Sequence, residues 1–386
     1  MKIAYLSEGN NVYDRRFLEK MVARGHKPYL ISYSAGDTVR VDGVEVLHYD
    51  LAVVPGLQRF QHRPATCRLV AWHLKRVLAR IAPDVLHTGY IQQHGYYGAL
   101  TGFHPTLSMP WGSDVLIRPE KWLVHRQMAE YTLKQADMIT CDCQLVKTRI
   151  VDLAGCSPEK VVTFPWGIDL SIFKPLHGPS RVRERLGWQD KEILIQTRQF
   201  MPVYGIEVFL DALPAIVSER PQVRVILVGS GPLEQDYRTR LERSALTHHV
   251  HFAGHVDEAA MAEYLNAADL YVTTALSDGT SASMLEAMAC ELPVVVSDAP
   301  AYFEWVEEGI NGLIVSRGNS KELATAISDL LSKPELRRKM AELNLRIARE
   351  RADWDQNFDK LEMIYRQLVS PGKRHLASPE HVEVAL

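Results

Sequence analysis

Nowhere in its 386 residues does the chain hold a run of about 18 apolar residues, the length a membrane-spanning helix needs, so any membrane contact is expected to be peripheral. Cysteine is scarce. The five present (Cys67, Cys141, Cys143, Cys156 and Cys290) cannot all pair, and the opening Met-Lys-Ile-Ala reads as a strand rather than a cleavable apolar leader. A reducing cytosol is the expected compartment. Cys141-x-Cys143 has no matching second pair and no histidines show HExxH spacing, which argues against a zinc site. Nor is there a large excess of either charge: 44 Lys and Arg face 47 Asp and Glu, which argues against a general nucleic-acid binder. With 46% apolar and 24% charged residues the composition is that of a globular protein, which excludes a disordered tail or a fibrous chain. The length suits two or three domains.

Short β-branched runs recur, separated by stretches long enough for helices. In the first half they are Lys2 to Ser7, Pro28 to Tyr33, Val44 to His48, Asp84 to His87, Thr106 to Pro110, Met138 to Cys141 and Val161 to Phe164, with helical patterns at Asp14 to Arg24 and Thr66 to Ile81. Leu176 to Ser180, containing Gly178 and Pro179, reads as a linker. The rhythm then restarts with strands at Glu192 to Gln196, Val223 to Val228, Val250 to Ala253, Leu270 to Thr274, Val294 to Ser297 and Leu313 to Val315. Helices are expected near 205–218, 232–244, 258–267, 281–290 and 320–332, and again at Trp354 to Leu368, whose Phe358, Leu361, Ile364 and Leu368 share a face. Alternation of this kind means parallel sheets covered on both faces, an α/β chain of two doubly wound domains. Ligands are then expected beyond the carboxyl ends of the strands, in a cleft between the two sheets.

Charge divides unevenly. Residues 1–175 carry 21 basic and 16 acidic side chains, a net +5, leaving 23 against 31, a net −8, for the rest. From Leu51 to Pro83 there are Arg59, Arg63, Arg68, Lys75, Arg76 and Arg80 and no acid. Two readings stand: a solvated helix face, or a surface that docks on anionic lipid, with Phe60, Leu69, Trp72 and Leu74 as apolar contacts.

The strongest chemical signal is Ser277 to Ala289, SDGTSASMLEAMA. A loop containing Gly279 and small hydroxyl residues runs from a strand into a helix, whose first N–H groups and dipole suit an anion such as phosphate. Glu286, about one and a half turns along, could accept hydrogen bonds from a ribose, while Asp278 sits in the loop. The plainer alternative makes Asp278 a turn cap and Glu286 an exposed helix acid. Gly229-Ser230-Gly231 ends another strand, but Glu234 occupies the sixth position of a would-be Gly-x-Gly-x-x-Gly, so a dinucleotide fingerprint is absent.

Asp278 and Glu286, seven residues between them, with Ala287-Met288-Ala289 and Pro293-Val294-Val295 in register, resemble the retaining glycosyltransferases of family 4. The resemblance extends through Arg24-Gly25-His26, Pro83-Asp84-Val85-Leu86-His87, Gly112-Ser113-Asp114, Gly167-Ile168-Asp169, Gly229-Ser230-Gly231-Pro232, Gly254-His255-Val256 and Asn311-Gly312-Leu313. It implies the GT-B fold: an acceptor-binding domain over 1–175, on which a helix at 354–369 packs back, a nucleotide-sugar domain over 176–353, and a loose tail at 370–386.

It also implies residue roles. Glu286 would hold the ribose of a nucleotide sugar, most commonly a UDP-sugar, and Asp278 the sugar hydroxyls. Arg198, just past the strand ending Gln196-Thr197, would pair with the diphosphate through a fork of donors that never deprotonates. Gly9, Gly229, Gly254, His255, Val256 and the run Gly279, Thr280, Ser281, Ala282, Ser283, Met284 and Leu285 would complete the donor site, and Asp114 would contact sugar or acceptor. No cofactor or metal is implied, since Arg198 and the helix start would stabilise the leaving diphosphate.

Three residues depart from the family pattern. Asp278 stands where Glu is usual, Tyr204 before Gly205 where a Lys is usual, and Trp111 before Gly112-Ser113-Asp114 where a His is usual. Trp cannot act as a base. His87 and His94 are alternative polar groups on the acceptor side. The resemblance implies front-face attack, in which a leaving phosphate oxygen takes the acceptor's proton and no protein base is needed. The expected activity is transfer to a lipid-linked or cell-surface glycan acceptor. A nucleotide-sugar hydrolase or epimerase of the same fold, or a non-catalytic partner subunit, are the alternatives.

Overall fold

A computed structural model describes residues 1–32, 38–48 and 64–370, and the chain divides into two compact units, residues 1–164 with 358 onward and residues 165–357. In the first unit seven parallel strands form one sheet: β1 (Lys2–Leu6), β2 (Lys27–Ser32), β3 (Glu45–His48), β4 (Val85–Gly89), β5 (Thr106–Met109), β6 (Met138–Cys141) and β7 (Val161–Thr163), in the order β3-β2-β1-β4-β5-β6-β7. The second holds β8 (Glu192–Gln196), β9 (Val223–Val228), β10 (Val250–Gly254), β11 (Leu270–Thr273), β12 (Val294–Ser297) and β13 (Gly312–Val315), in the order β10-β9-β8-β11-β12-β13. In both, the chain winds outward from a central strand and then returns to build the other side, which puts a topological switch point beside β1 and beside β8.

The inner strands are continuous apolar runs because parallel strands bury both faces. Along β8, Ile193 and Ile195 join one buried cluster with Ile226, Tyr271, Val294 and Met284, while Leu194 joins another with Val225, Val272, Ile206 and Leu213. Alternate side chains thus feed two separate cores.

The boundary falls at Phe164/Pro165 rather than at the Gly178-Pro179 stretch. Ile168 and Phe173 are buried in the second unit's core, and the Ile168 N–H donates to the Ala352 carbonyl at 2.8 Å, so residues 165–175 belong with the second unit. Gly and Pro interrupt regular structure there without separating cores. The helix Trp354–Val369 begins in the second unit and continues into the first, where Phe358, Leu361, Ile364 and Tyr365 are buried. His26 Nε2 meets Glu362 at 3.1 Å and Arg24 meets Asp359 at 2.7 Å, which fixes that helix to the start of the first unit. The expected tail beyond Ser370, Tyr33, and Arg59, Phe60 and Arg63 of the basic stretch lie outside the described residues.

The helix Pro64–Ile81 has the two-sided pattern its sequence predicts. Cys67, Val70, Leu74, Val77, Leu78 and Ile81 pack into the core with Ala4, Leu6 and Leu86. Leu74 is therefore not an outward apolar contact: its place on the helical repeat turns it to the sheet, and it is fully buried. Facing outward are Arg68, Leu69, Trp72, Lys75, Arg76 and Arg80, with Leu69 48% and Trp72 56% exposed, and the Arg76 guanidinium stacks over the Trp72 ring at 4.8 Å.

His87, at the centre of the first sheet, is fully buried with Nδ1 2.6 Å from Tyr365 Oη, and His94 is likewise enclosed. Burial lowers both imidazoles to about 3. Below the ordinary value of 6.5 the unfolded chain binds protons that the folded chain refuses, so stability is full above that pH and declines as pH falls toward 3. Each histidine is expected to cost about 2 kcal/mol at pH 5. Urea denaturation at pH 7 and pH 5 should show this loss, and His87→Asn, which cannot titrate, should remove about half of it.

Candidate functional site

Around β8 the second unit gathers the predicted residues at the carboxyl ends of its strands. Thr197 and Arg198 follow β8, Gly229 follows β9, Gly254 ends β10, and the loop after β11 leads through Asp278 and Gly279 into the helix Ala282–Ala289. Ser281 caps that helix, its hydroxyl accepting from the Met284 N–H at 3.3 Å. The loops interlock through backbone: the Gly229 N–H donates to the Gly254 carbonyl at 2.8 Å. Gly229 has φ 139°, and a Cβ there would lie 2.5 Å from the Arg198 carbonyl oxygen. Gly205, at φ 55°, passes equally close to the Thr274 carbonyl. Only glycine permits both the backbone angle and the approach.

Arg198 is the centre of this arrangement, its side chain only 10% exposed. Nη1 donates to Ser281 Oγ and to Ser283 Oγ, each at 2.9 Å, and Nη2 lies 2.8 Å from Asp278 Oδ2. The Tyr204 ring covers the guanidinium, with Cζ 4.0 Å from its centroid. Tyr204 thus stands against the guanidinium as a cation–π lid. Burial works against the charge, but Asp278 together with Tyr302, Tyr204 and Tyr271 more than offsets it, so the guanidinium is held above its ordinary pKa. Nε is buried with no hydrogen-bond partner among the described residues. One N–H of the guanidinium is therefore left unsatisfied on a side chain that Nη1 ties to the start of a helix. A diphosphate oxygen is the kind of group that fits it.

Glu286 is half-buried on the same helix, close enough for its charge to act on Tyr271 and Cys290. Thr280 and Ala282 are half-buried beside the loop and Val256 beside β10, while His255 is exposed. Met284 and Leu285 differ from the expectation for a donor-lining pair. They lie on the helix face turned to the sheet, with side chains in the core, and can offer a ligand only backbone.

Tyr302 and Tyr271 join the site without any signal in its sequence motif. Tyr302 Oη donates to Asp278 Oδ2 at 3.0 Å and Tyr271 Oη to Ser283 Oγ at 3.2 Å. Neither lies in the loop motif; only β11 and the turn after β12 bring them to it.

In the first unit, Asp114 does not present a ligand carboxylate. It is fully buried, with Oδ1 accepting the Trp111 N–H at 2.9 Å and Oδ2 the Ile91 N–H at 3.0 Å. Burial raises it to about 6, against those hydrogen bonds. It ties two loops together. His87 and His94 are enclosed in the first unit's interior rather than surface groups, since β4 and the turn Ile91–Gly95 carry them inward. Trp111 is half-buried and packs edge-on to Tyr13 at 5.9 Å. Gly9 has φ 73°, and its N–H donates to Asp14 Oδ2 at 3.0 Å. Asp14 was not singled out in the sequence. It also accepts from Tyr5, Ser7 and Asn11, and so holds the loop after β1 in shape. Among the described residues no three His, Cys, Asp or Glu side chains group as metal ligands would.

Gly229→Ala should lower stability by about 1–3 kcal/mol through backbone strain and displace Arg198, read out by urea denaturation.

Residues 180–344 match the family model for glycosyl transferases group 1, and residues 2–143 match the glycosyl transferase 4-like model. A phosphatidyl-myo-inositol mannosyltransferase of Mycobacterium leprae is 31% identical over 191 residues, covering 49% of each chain. A D-inositol 3-phosphate glycosyltransferase of Thermomonospora curvata is 23% identical over 393 residues, covering 92% of this chain and 90% of its own. The chain thus spans about half the length of the first relative and most of the second. The crystal structure of Anabaena HepE with UDP and glucose superposes with a TM-score of 0.79 at 21% identity, covering 95% of this chain and 100% of that one.

Proposed function

We propose a donor, an acceptor class and a mechanism for a chain that belongs to the glycosyl transferases group 1, has the GT-B fold and moves a sugar from a nucleotide sugar. The donor is a UDP-sugar, and the observation that carries this reading is the buried, unsatisfied Nε of Arg198 at the start of the helix Ala282–Ala289. A UDP complex of a similarly folded protein supports the choice of base. Glu286 would take the ribose.

In the proposed reaction the bond from the sugar's anomeric carbon to the β-phosphate oxygen breaks through an oxocarbenium-like state, and a bond to the acceptor hydroxyl forms on the same face. The acceptor's proton passes to the departing phosphate oxygen, so configuration is retained without a protein base. Arg198 and the helix start stabilise the departing charge, the role that a metal ion fills in other transferases. Activity in EDTA equal to that in buffer is the expected result.

Arg198→Ala should weaken UDP binding by about 1.5–3 kcal/mol in titration calorimetry, the range for hydrogen bonds to a charged group. Unchanged affinity would remove Arg198 from the site. Product analysis separates transfer from hydrolysis: free sugar released at one rate with and without acceptor would favour a hydrolase.

The acceptor is proposed to be a lipid-linked or cell-surface glycan precursor, met at a membrane surface. The outward face of Pro64–Ile81 supports this, with Arg68, Lys75, Arg76 and Arg80 beside exposed Leu69 and Trp72. Cations of this kind contribute about 1 kcal/mol each near an anionic surface. The protein should sediment with vesicles containing anionic lipid and not with neutral ones, and Arg76→Glu with Arg80→Glu should abolish the difference. Equal pelleting with both vesicle types would refute the electrostatic docking.

A further inference from the structure

Arg198 already carries an anionic partner from its own chain. Besides Nη2 of Arg198 at 2.8 Å, Asp278 Oδ2 accepts the Tyr302 hydroxyl at 3.0 Å, and Oδ1 accepts the Gly279 N–H at 3.1 Å. Tyr302 itself is enclosed. Its ring is fully buried beside Trp305 and Val306, and Oη also lies 3.3 Å from Thr273 Oγ1. Burial, and next to it the Asp278 charge, pushes the phenol well above its ordinary pKa, so it stays a donor.

The guanidinium has five N–H donors. Nη1 spends its pair on Ser281 and Ser283. Three remain, the Nε N–H and the pair on Nη2, and the side-on edge of Nε and Nη2 is where two anionic oxygens bind as a fork. Asp278 sits on Nη2, and among the described residues Nε has no partner. A diphosphate oxygen brought to Nη2 would lie close to that carboxylate, and two anions at one nitrogen repel each other.

We propose that Asp278, anchored by Tyr302, is an internal counter-anion that an incoming diphosphate displaces from the Nη2 arm, and that Tyr302 is the positioning residue for this exchange. The inference rests on Arg198 as the diphosphate ligand. It gives Asp278 a role other than contact with sugar hydroxyls, and it explains why the shorter acid is accommodated. One methylene less draws the carboxylate back onto Arg198 and within reach of Tyr302. The site's affinity is then set by an exchange of anions, and the sugar does not enter the balance.

The test is titration calorimetry of the full chain with UDP, GDP, ADP and UDP-glucose. Asp278→Asn keeps an oxygen to accept from Arg198 and Tyr302 but removes the charge. It should tighten the best-bound diphosphate by about tenfold, and UDP-glucose by the same factor relative to wild type. Tyr302→Phe keeps the charge and removes the anchor, and should tighten binding by about threefold. Wild-type or weaker diphosphate affinity in Asp278→Asn overturns the exchange. So does a loss confined to UDP-glucose, which would make Asp278 a sugar ligand. Wild type binding none of the three diphosphates while Asp278→Asn binds one would uphold it. No binding by either would overturn it together with the role of Arg198, whereas wild-type binding with no gain in the variant overturns the exchange alone. Should Asp278→Asn fail to fold, Tyr302→Phe decides: unchanged affinity there overturns the proposal.

Discussion

A guanidinium shielded from water must be kept charged by its own protein, and that requirement organises the second unit. An unpaired buried ion costs several kcal/mol, so Arg198 needs an anion and a full set of acceptors to be held where it is. Asp278 supplies the first and the hydroxyls of Ser281 and Ser283 most of the second. The same serines belong to the start of the helix Ala282–Ala289. Helix start and arginine are therefore fixed to each other. Gly205 and Gly229 are the backbone counterpart, since a side chain at either would drive the neighbouring carbonyl away.

The first unit uses buried acids differently. Asp14 gathers donors from Tyr5, Ser7, Gly9 and Asn11, and Asp114 bridges the backbone at Ile91 and Trp111. Both carboxylates are raised by burial and spend their acceptor capacity on holding loops. His87 stays neutral and gives its Nδ1 to the contact with Tyr365 that seats the last helix. None of these groups offers a proton at a surface. Their role is to shape the turns at the carboxyl ends of β1, β4 and β5, the edge where open parallel sheets take ligands.

The two-unit parallel architecture was legible because it rests on local regularities. Continuous apolar runs, helical spacing and small-residue turns repeat through both halves, and each is an intrinsic preference of its segment. Leu74 shows that composition of a stretch is a poorer guide than helical spacing. Its place in the basic stretch offers it as an outward contact, yet it packs with Val70, Val77 and Leu78 against the sheet. The boundary is similar: Gly178 and Pro179 break regular structure, but only packing assigns Ile168 and Phe173 to the second core.

The sequence by itself determined the class of chemistry, because a guanidinium after a strand and a hydroxyl-rich loop before a helix are anion-binding groups wherever they fold. It also placed Asp278 and Glu286 on that loop and helix. Tertiary structure alone decided how Asp278 is spent, since Tyr302 and Arg198 reach it from segments 24 and 80 residues away along the chain. It likewise turned His87, His94 and Asp114 inward. A side chain's charge and donors belong to its residue type, but the partners that satisfy or expose them are set by which strands the sheet brings together.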